Sequence, residues 1–208
     1  MILLKEIDKL KKLIMKTKLL FATLLLSAFT LSAQEAKYEI KSAIITKSVE
    51  MMGQKIDGMQ YVDDFGVKES ITLKMPMQGV PGSFLQIRTI NKGDTIITAN
   101  LELKTGNKIV LPEKPVNYLK LTEEVREKYK IKELGQEEVA GKQCDKYSLE
   151  VSQMGQQVST TAWVWKGIVL KSVTSASGMT MTEEATGIKE NIEVDTENFT
   201  IPKDVTIQ

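Results

Sequence analysis

Beyond about residue 40 the chain alternates between apolar and polar positions with a period of two. Ile71, Leu73 and Met75 interleave with Thr72 and Lys74, and Ala99, Leu101 and Leu103 with Asn100, Glu102 and Lys104. Tyr147, Leu149 and Val151 interleave with Ser148 and Glu150, and Ile192 and Val194 with Asn191 and Glu193. Successive side chains of a strand point to opposite faces, so this pattern predicts sheets with one buried face. Gln34 to Met51 reads as a further strand. Turn signals separate the runs at Met52-Gly53-Gln54, Asp63 to Gly66, Asn91 to Asp94 and Thr105-Gly106-Asn107. Others fall at Ala140-Gly141-Lys142, Met154-Gly155-Gln156, Lys166-Gly167 and Ser177-Gly178. Short strands joined at this spacing predict an antiparallel meander that curls into a sandwich, barrel or half-barrel.

One segment departs from the period of two. Pro112 and Pro115 end a strand, and Thr122 to Lys130 then reads as a short helix. Thr122 caps its start, Glu123 and Glu124 suit the positive end of its dipole, and Lys128 and Lys130 the negative end. Leu121, Val125 and Tyr129 are placed to pack on the sheet, so the segment is expected to plug or cover one opening.

The first 33 residues follow a different pattern. Lys16 and Lys18 form a basic start, Leu19 to Leu31 an apolar run, and Ser32-Ala33-Gln34 a small-residue cleavage point. That is the layout of an export signal. A membrane-spanning helix needs about 20 apolar residues, and this run is shorter, so cleavage near Ala33 leaves no permanent anchor. No cysteine follows the run to carry a lipid. Residues 1–14 read as an upstream extension, either a start codon placed ahead of Met15 or a basic amphipathic surface helix. Residues 34–208 are then the working domain, expected in the periplasm.

Composition narrows the chemistry. Those 175 residues hold 22 basic and 25 acidic groups, a net charge of −3 with both signs interspersed. No basic footprint for nucleic acid is present. The chain has no histidine and one cysteine, Cys144. This removes Ser-His-Asp and Cys-His catalysis, imidazole zinc sites and thiolate clusters. Cys144 reads as a small buried hydrophobe. Neither an enzyme nor a cofactor is expected. Asp64-Phe65-Gly66 lacks every companion of a kinase signature and reads as a turn.

What remains is apolar. Met52, Met59, Met75, Met77, Met179 and Met181 flank turns or lie in weakly hydrophobic strands. Methionine is flexible and polarizable and suits both adaptable apolar sites and gap-filling in a core. The loop from Met75 to Gly82, with Val80, reads as a cover over an apolar opening or as a plain surface loop. Arg88 lies in a strand, and facing inward it must find an acceptor, as a latch or a ligand contact. Trp163 and Trp165 share one face of their strand and Val164 the other. They are core, rim or ligand-facing aromatics.

Three segments together carry a family likeness: Leu134 to Tyr147, Trp163 to Ser172, and Val194 to Val205. They resemble the LolA/LolB-like periplasmic lipoprotein-carrier superfamily, most closely its small exported DUF4412-type relatives from Bacteroidetes. In that superfamily a Trp-bearing strand leads through a turn to an apolar-Leu-Lys strand, as Trp163 to Lys171 do. A terminal Phe followed by Pro closes the domain, as Phe199 and Pro202 would. The resemblance implies a mainly-β fold, a curved antiparallel half-barrel with one short helix packed on it or plugging it. It further implies an apolar ligand, lipid or lipoprotein acyl chains, and a carrier role in outer-membrane biogenesis, with an envelope protein as a further partner. Met52, Met59, Met75, Met77, Arg88, Trp163, Trp165, Met179 and Met181 are the candidate ligand-binding residues. The alternative is a structural or protein-interaction domain of the envelope with a filled core.

Overall fold

Hairpins account for most of the architecture. The computed structural model describes residues 35–77, 82–112, 114–153 and 156–208. The signal segment, the upstream extension, Val80 and Met154 lie outside these residues. Ala36–Gln208 pack as one unit. Its first six strands are β1 (Ala43–Met51), β2 (Gln54–Asp63), β3 (Lys68–Pro76), β4 (Phe84–Lys92), β5 (Thr95–Asn100) and β6 (Thr105–Val110). After the helix α1 (Glu123–Lys128) come β7 (Lys132–Val139), β8 (Lys142–Gln153), β9 (Gln156–Trp165), β10 (Ile168–Ala176), β11 (Met179–Glu190) and β12 (Thr206–Ile207).

These strands form one sheet in the order β12-β6-β5-β4-β3-β2-β1-β11-β10-β9-β8-β7. All neighbours are antiparallel except β12, which runs parallel to β6. Pairing of β1 with β11 joins two meanders. The sheet is curved and open, with β12 and β7 at its edges, and carries one short helix. This is the mainly-β, curved antiparallel architecture with one short helix packed on it that the sequence predicts.

Two segments cross the sheet. The first links β6, beside one edge, to β7 at the other. Its Val116, Tyr118, Leu121, Val125 and Tyr129 pack with Ile131 on Leu149, Ala162 and Val164 of β8 and β9. The Thr122 hydroxyl accepts from the Val125 amide at 3.3 Å, capping α1 as its sequence predicts. Tyr118 and Tyr147 pack with ring centroids 5.6 Å apart, and burial pushes the Tyr118 hydroxyl up to about 12. The second crossing follows β11. A 3-10 turn at Thr196–Phe199 seats Phe199 in the interior before the chain reaches β12.

Two elements differ from expectation. The strand read from Gln34 begins only at Ala43. Ahead of it the Lys37 and Tyr38 amides donate to the Phe65 carbonyl, and the Glu39 amide to Lys166. This segment caps two hairpin turns instead of entering the sheet. The turn read at Thr105-Gly106-Asn107 falls at 101–104, and Thr105 opens β6. The Asn100 side chain accepts from the Glu102 and Leu103 amides and bends the chain early. Gly106 is needed for close approach: a Cβ there would lie 2.6 Å from both the Thr98 carbonyl and the Ile207 side chain.

The larger core holds Tyr38, Ile45, Val62, Cys144, Ile168 and Leu170 among its buried members. Fully burying each large aliphatic side chain contributes about 1.5–3 kcal/mol.

Candidate functional site: an apolar band on one sheet face

Strand register shows which side chains share a face, because residues directly opposite one another project to the same side. Met181 of β11 lies opposite Met51 of β1, and Val49 opposite Ile56 of β2. Gly58 faces Leu73, which faces Ile87 of β4, and Met75 faces Leu85. In the other direction Met179 aligns with Ala176, Val158 and Val151. One face therefore carries a continuous apolar band from β8 to β4.

The band is open along most of its length. Val49 and Ile56 are buried, whereas Leu73, Met75, Leu85, Ile87, Met181, Val158 and Val151 are half-buried and Met51 and Met179 exposed. Gly58 makes room for it: a Cβ there would lie 2.6 Å from the Leu73 side chain. Met181 aligns through Thr174 and Thr160 with Leu149, which lies under the crossing segment. The helix-bearing segment thus covers the β8–β9 end of the face that carries the band.

The candidate residues divide between several places. Met75, Met179 and Met181 lie on the band. Met77 follows β3 just past its end, and Met52 sits at the β1–β2 tip, 77% exposed. Met59 and Arg88 align through Thr72 on the opposite face. The Arg88 guanidinium donates to the Glu197 and Thr200 carbonyls at 2.9 and 3.1 Å, so it holds the C-terminal crossing segment.

Trp163 and Trp165 also face away from the band, since Trp163 aligns through Lys171 with Glu184. Trp163 is buried beneath Lys146 and Lys171, and its indole donates to Glu137 at 2.9 Å. Trp165 lies between Lys142 and Lys166, each 4.7 Å from its ring, and both lysines pair with Glu190.

Beyond the band on the same face lies a buried polar cluster that sequence reading missed. The Glu69 Oε1 accepts from the Tyr38 hydroxyl and the Gln60 amide, each at 2.7 Å. Its Oε2 accepts from Asn91 at 3.4 Å and lies 3.5 Å from the Lys37 ammonium. Lys47, 3% exposed, pairs with Glu183 and donates to the Val169 carbonyl at 3.0 Å. Burial first, then the Glu69 charge, holds the Tyr38 hydroxyl well above its ordinary range. No local motif marks this cluster, although period-two counting places Gln60 with Ile56 and Gly58.

A separate open pocket of about 450 Å³ is lined by Lys41, Ser42, Asp63 and residues 191–194, with none of the candidates. Among the described residues no three His, Cys, Asp or Glu side chains are grouped to hold a metal ion.

Residues 58–169 match the family described as Domain of unknown function (DUF4412), and the chain belongs to that family. An uncharacterized conserved protein from Thermus thermophilus shares the fold at 10% identity and a TM-score of 0.53, covering 88% of this chain and 98% of that one. The MucA/MucB complex of Pseudomonas aeruginosa matches at 14% identity and 0.51, covering 82% of this chain and 58% of the matched one. The lipoprotein LppX of Mycobacterium tuberculosis matches at 12% identity and 0.41, covering 76% and 90%. No curated protein matches the chain.

Proposed function

We propose that the protein is a non-enzymatic carrier or binding module whose apolar band shelters acyl chains of a lipid or lipoprotein. The continuity of half-exposed aliphatic and methionine side chains from Val151 to Leu85 carries this reading. Each methylene sheltered there contributes roughly 0.8 kcal/mol. Methionines let such a surface follow chains of differing shape. The signal-like Met15 to Ala33 supports work in the periplasm, with residues 34–208 as the mature domain and an envelope protein as a further partner. Among the described residues no helix is long and apolar enough to cross a membrane.

The test is native mass spectrometry of the protein purified gently from an envelope extract, together with displacement of a fluorescent acyl probe. A co-purifying lipid and probe binding are expected. Met75→Asp with Met181→Asp should weaken the probe by at least about tenfold, the equivalent of roughly 1.4 kcal/mol, while Met59→Asp on the other face should not. Absence of both lipid and probe binding would leave the filled-core interaction domain as the better reading.

A further inference from the structure

We infer that the band ends in a headgroup site, where Gln60 accepts a hydrogen bond from the polar end of a bound amphiphile. The inference rests on the acyl-binding reading above and names the class of ligand. Gln60 lies on β2, on the band's face, two positions beyond Gly58 and four beyond Ile56. At roughly 3.3 Å per strand residue, it stands about 13 Å along the strand from Ile56. It is 7% exposed.

The amide's orientation is fixed. Its nitrogen donates to Glu69 Oε1 at 2.7 Å, and the reversed amide would set two acceptors against each other. Its own Oε1 is buried and has no donor, the one buried side-chain nitrogen or oxygen so placed among the described residues. Neighbouring donors are engaged elsewhere. Tyr38 and Asn91 donate to Glu69, and Lys47 to Glu183 and Val169. Lys37 pairs with Glu69. Buried polar groups are normally paired, so an orphaned acceptor beside a band open to ligand calls for a donor from outside the chain.

That donor is an N–H or O–H close to the start of an acyl chain, as in a monoacylglycerol or a fatty amide. A methyl ester or a free carboxylate brings only acceptors. It would confront Gln60 Oε1 and stand beside the Glu69 carboxylate.

The experiment titrates the purified protein with a monoacylglycerol and with the fatty acid methyl ester of the same chain, each displacing the acyl probe. The glycerol head should bind roughly tenfold more tightly, the effect of one buried hydrogen bond. In Gln60→Met the two should converge to within about twofold, with chain binding retained. Equal affinities in the unaltered protein overturn the inference and leave an internal water as the occupant. That comparison stands even if the variant does not fold. A preference that survives Gln60→Met also overturns it, by removing Gln60 as the acceptor. Failure of both amphiphiles to bind overturns the acyl reading itself and this inference with it.

Discussion

The Arg88 guanidinium donates to the carbonyl of Glu197 at 2.9 Å, joining β4 to a turn more than a hundred residues later. A second bond to the Thr200 carbonyl and a longer one to the Thr72 hydroxyl complete its set. Arg88→Met should therefore loosen the C-terminal segment. A loss of about 1–3 kcal/mol in urea unfolding is expected, with faster amide exchange around Thr200. Acyl-probe affinity should stay unchanged, because Arg88 faces away from the band. A large fall in probe binding at full stability would contradict the latch assignment.

The Glu137 carboxylate accepts a hydrogen bond from the Trp163 indole at 2.9 Å. The hydrogen bond from the indole, then that from Lys146, holds its carboxyl below the usual carboxylate range. A group depressed in the folded state stabilises above its unfolded value, and that contribution is lost as pH falls through the folded one. Tryptophan fluorescence should therefore change on acidification to below the ordinary carboxylate range. In Glu137→Gln that step should vanish. An unchanged profile in the variant would assign the transition to another group.

Cys144 should be chemically silent. Its side chain is buried, and burial pushes the thiol up to about 11. At pH 8 about one thiol in a thousand is then the reactive thiolate. Reaction with a disulfide reagent is expected only on the timescale of unfolding, and promptly in denaturant. Rapid labelling of the native protein would refute the burial.

Two glycine turns separate strain from crowding. Gly53 and Gly167 both have positive φ, +76° and +85°. A Cβ at Gly53 meets nothing within 4 Å, whereas at Gly167 it presses on the Lys37 carbonyl and lies 3.0 Å from Leu119. Gly53→Ala should cost about 1 kcal/mol from backbone strain, and Gly167→Ala at least about twice that. Equal losses in chemical denaturation would show that the Gly167 contacts do not matter.

Strand periodicity made the sheet legible, and the Thr122 cap made the helix legible, because both are local. The tryptophan pair shares one face as its spacing predicts, yet its covering lysines come from β8 and β10 as well as the adjoining turn. The turn falls at 101–104 and not at 105–107 because Asn100, accepting from the Glu102 and Leu103 amides, overrides the apolar alternation that Leu101 and Leu103 continue. The reason for Gly106 is a contact with Ile207, a hundred positions away. The methionines show the limit most clearly. Met59 and Met75 look alike in sequence, and only register across β2 and β3 sends them to opposite faces. Gln60 and Glu69 meet across a hairpin that any strand reading would draw, but their burial depends on Tyr38 arriving from outside the sheet.

The union of β1 with β11 has a kinetic side. Met51 and Met181 are partners separated by 130 positions, and Ala43 and Glu190 by 147. Hairpins within each meander close short loops, whereas this seam must wait for both halves of the chain. Folding dominated by such distant pairings falls in the millisecond-to-second range or slower. Until the seam forms, β1 presents a bare strand edge of nine residues, Ala43–Met51, able to capture another chain. The same pairing that makes one sheet of two meanders therefore sets a period of vulnerability early in the protein's life, during which a chaperone or dilution has the most to contribute.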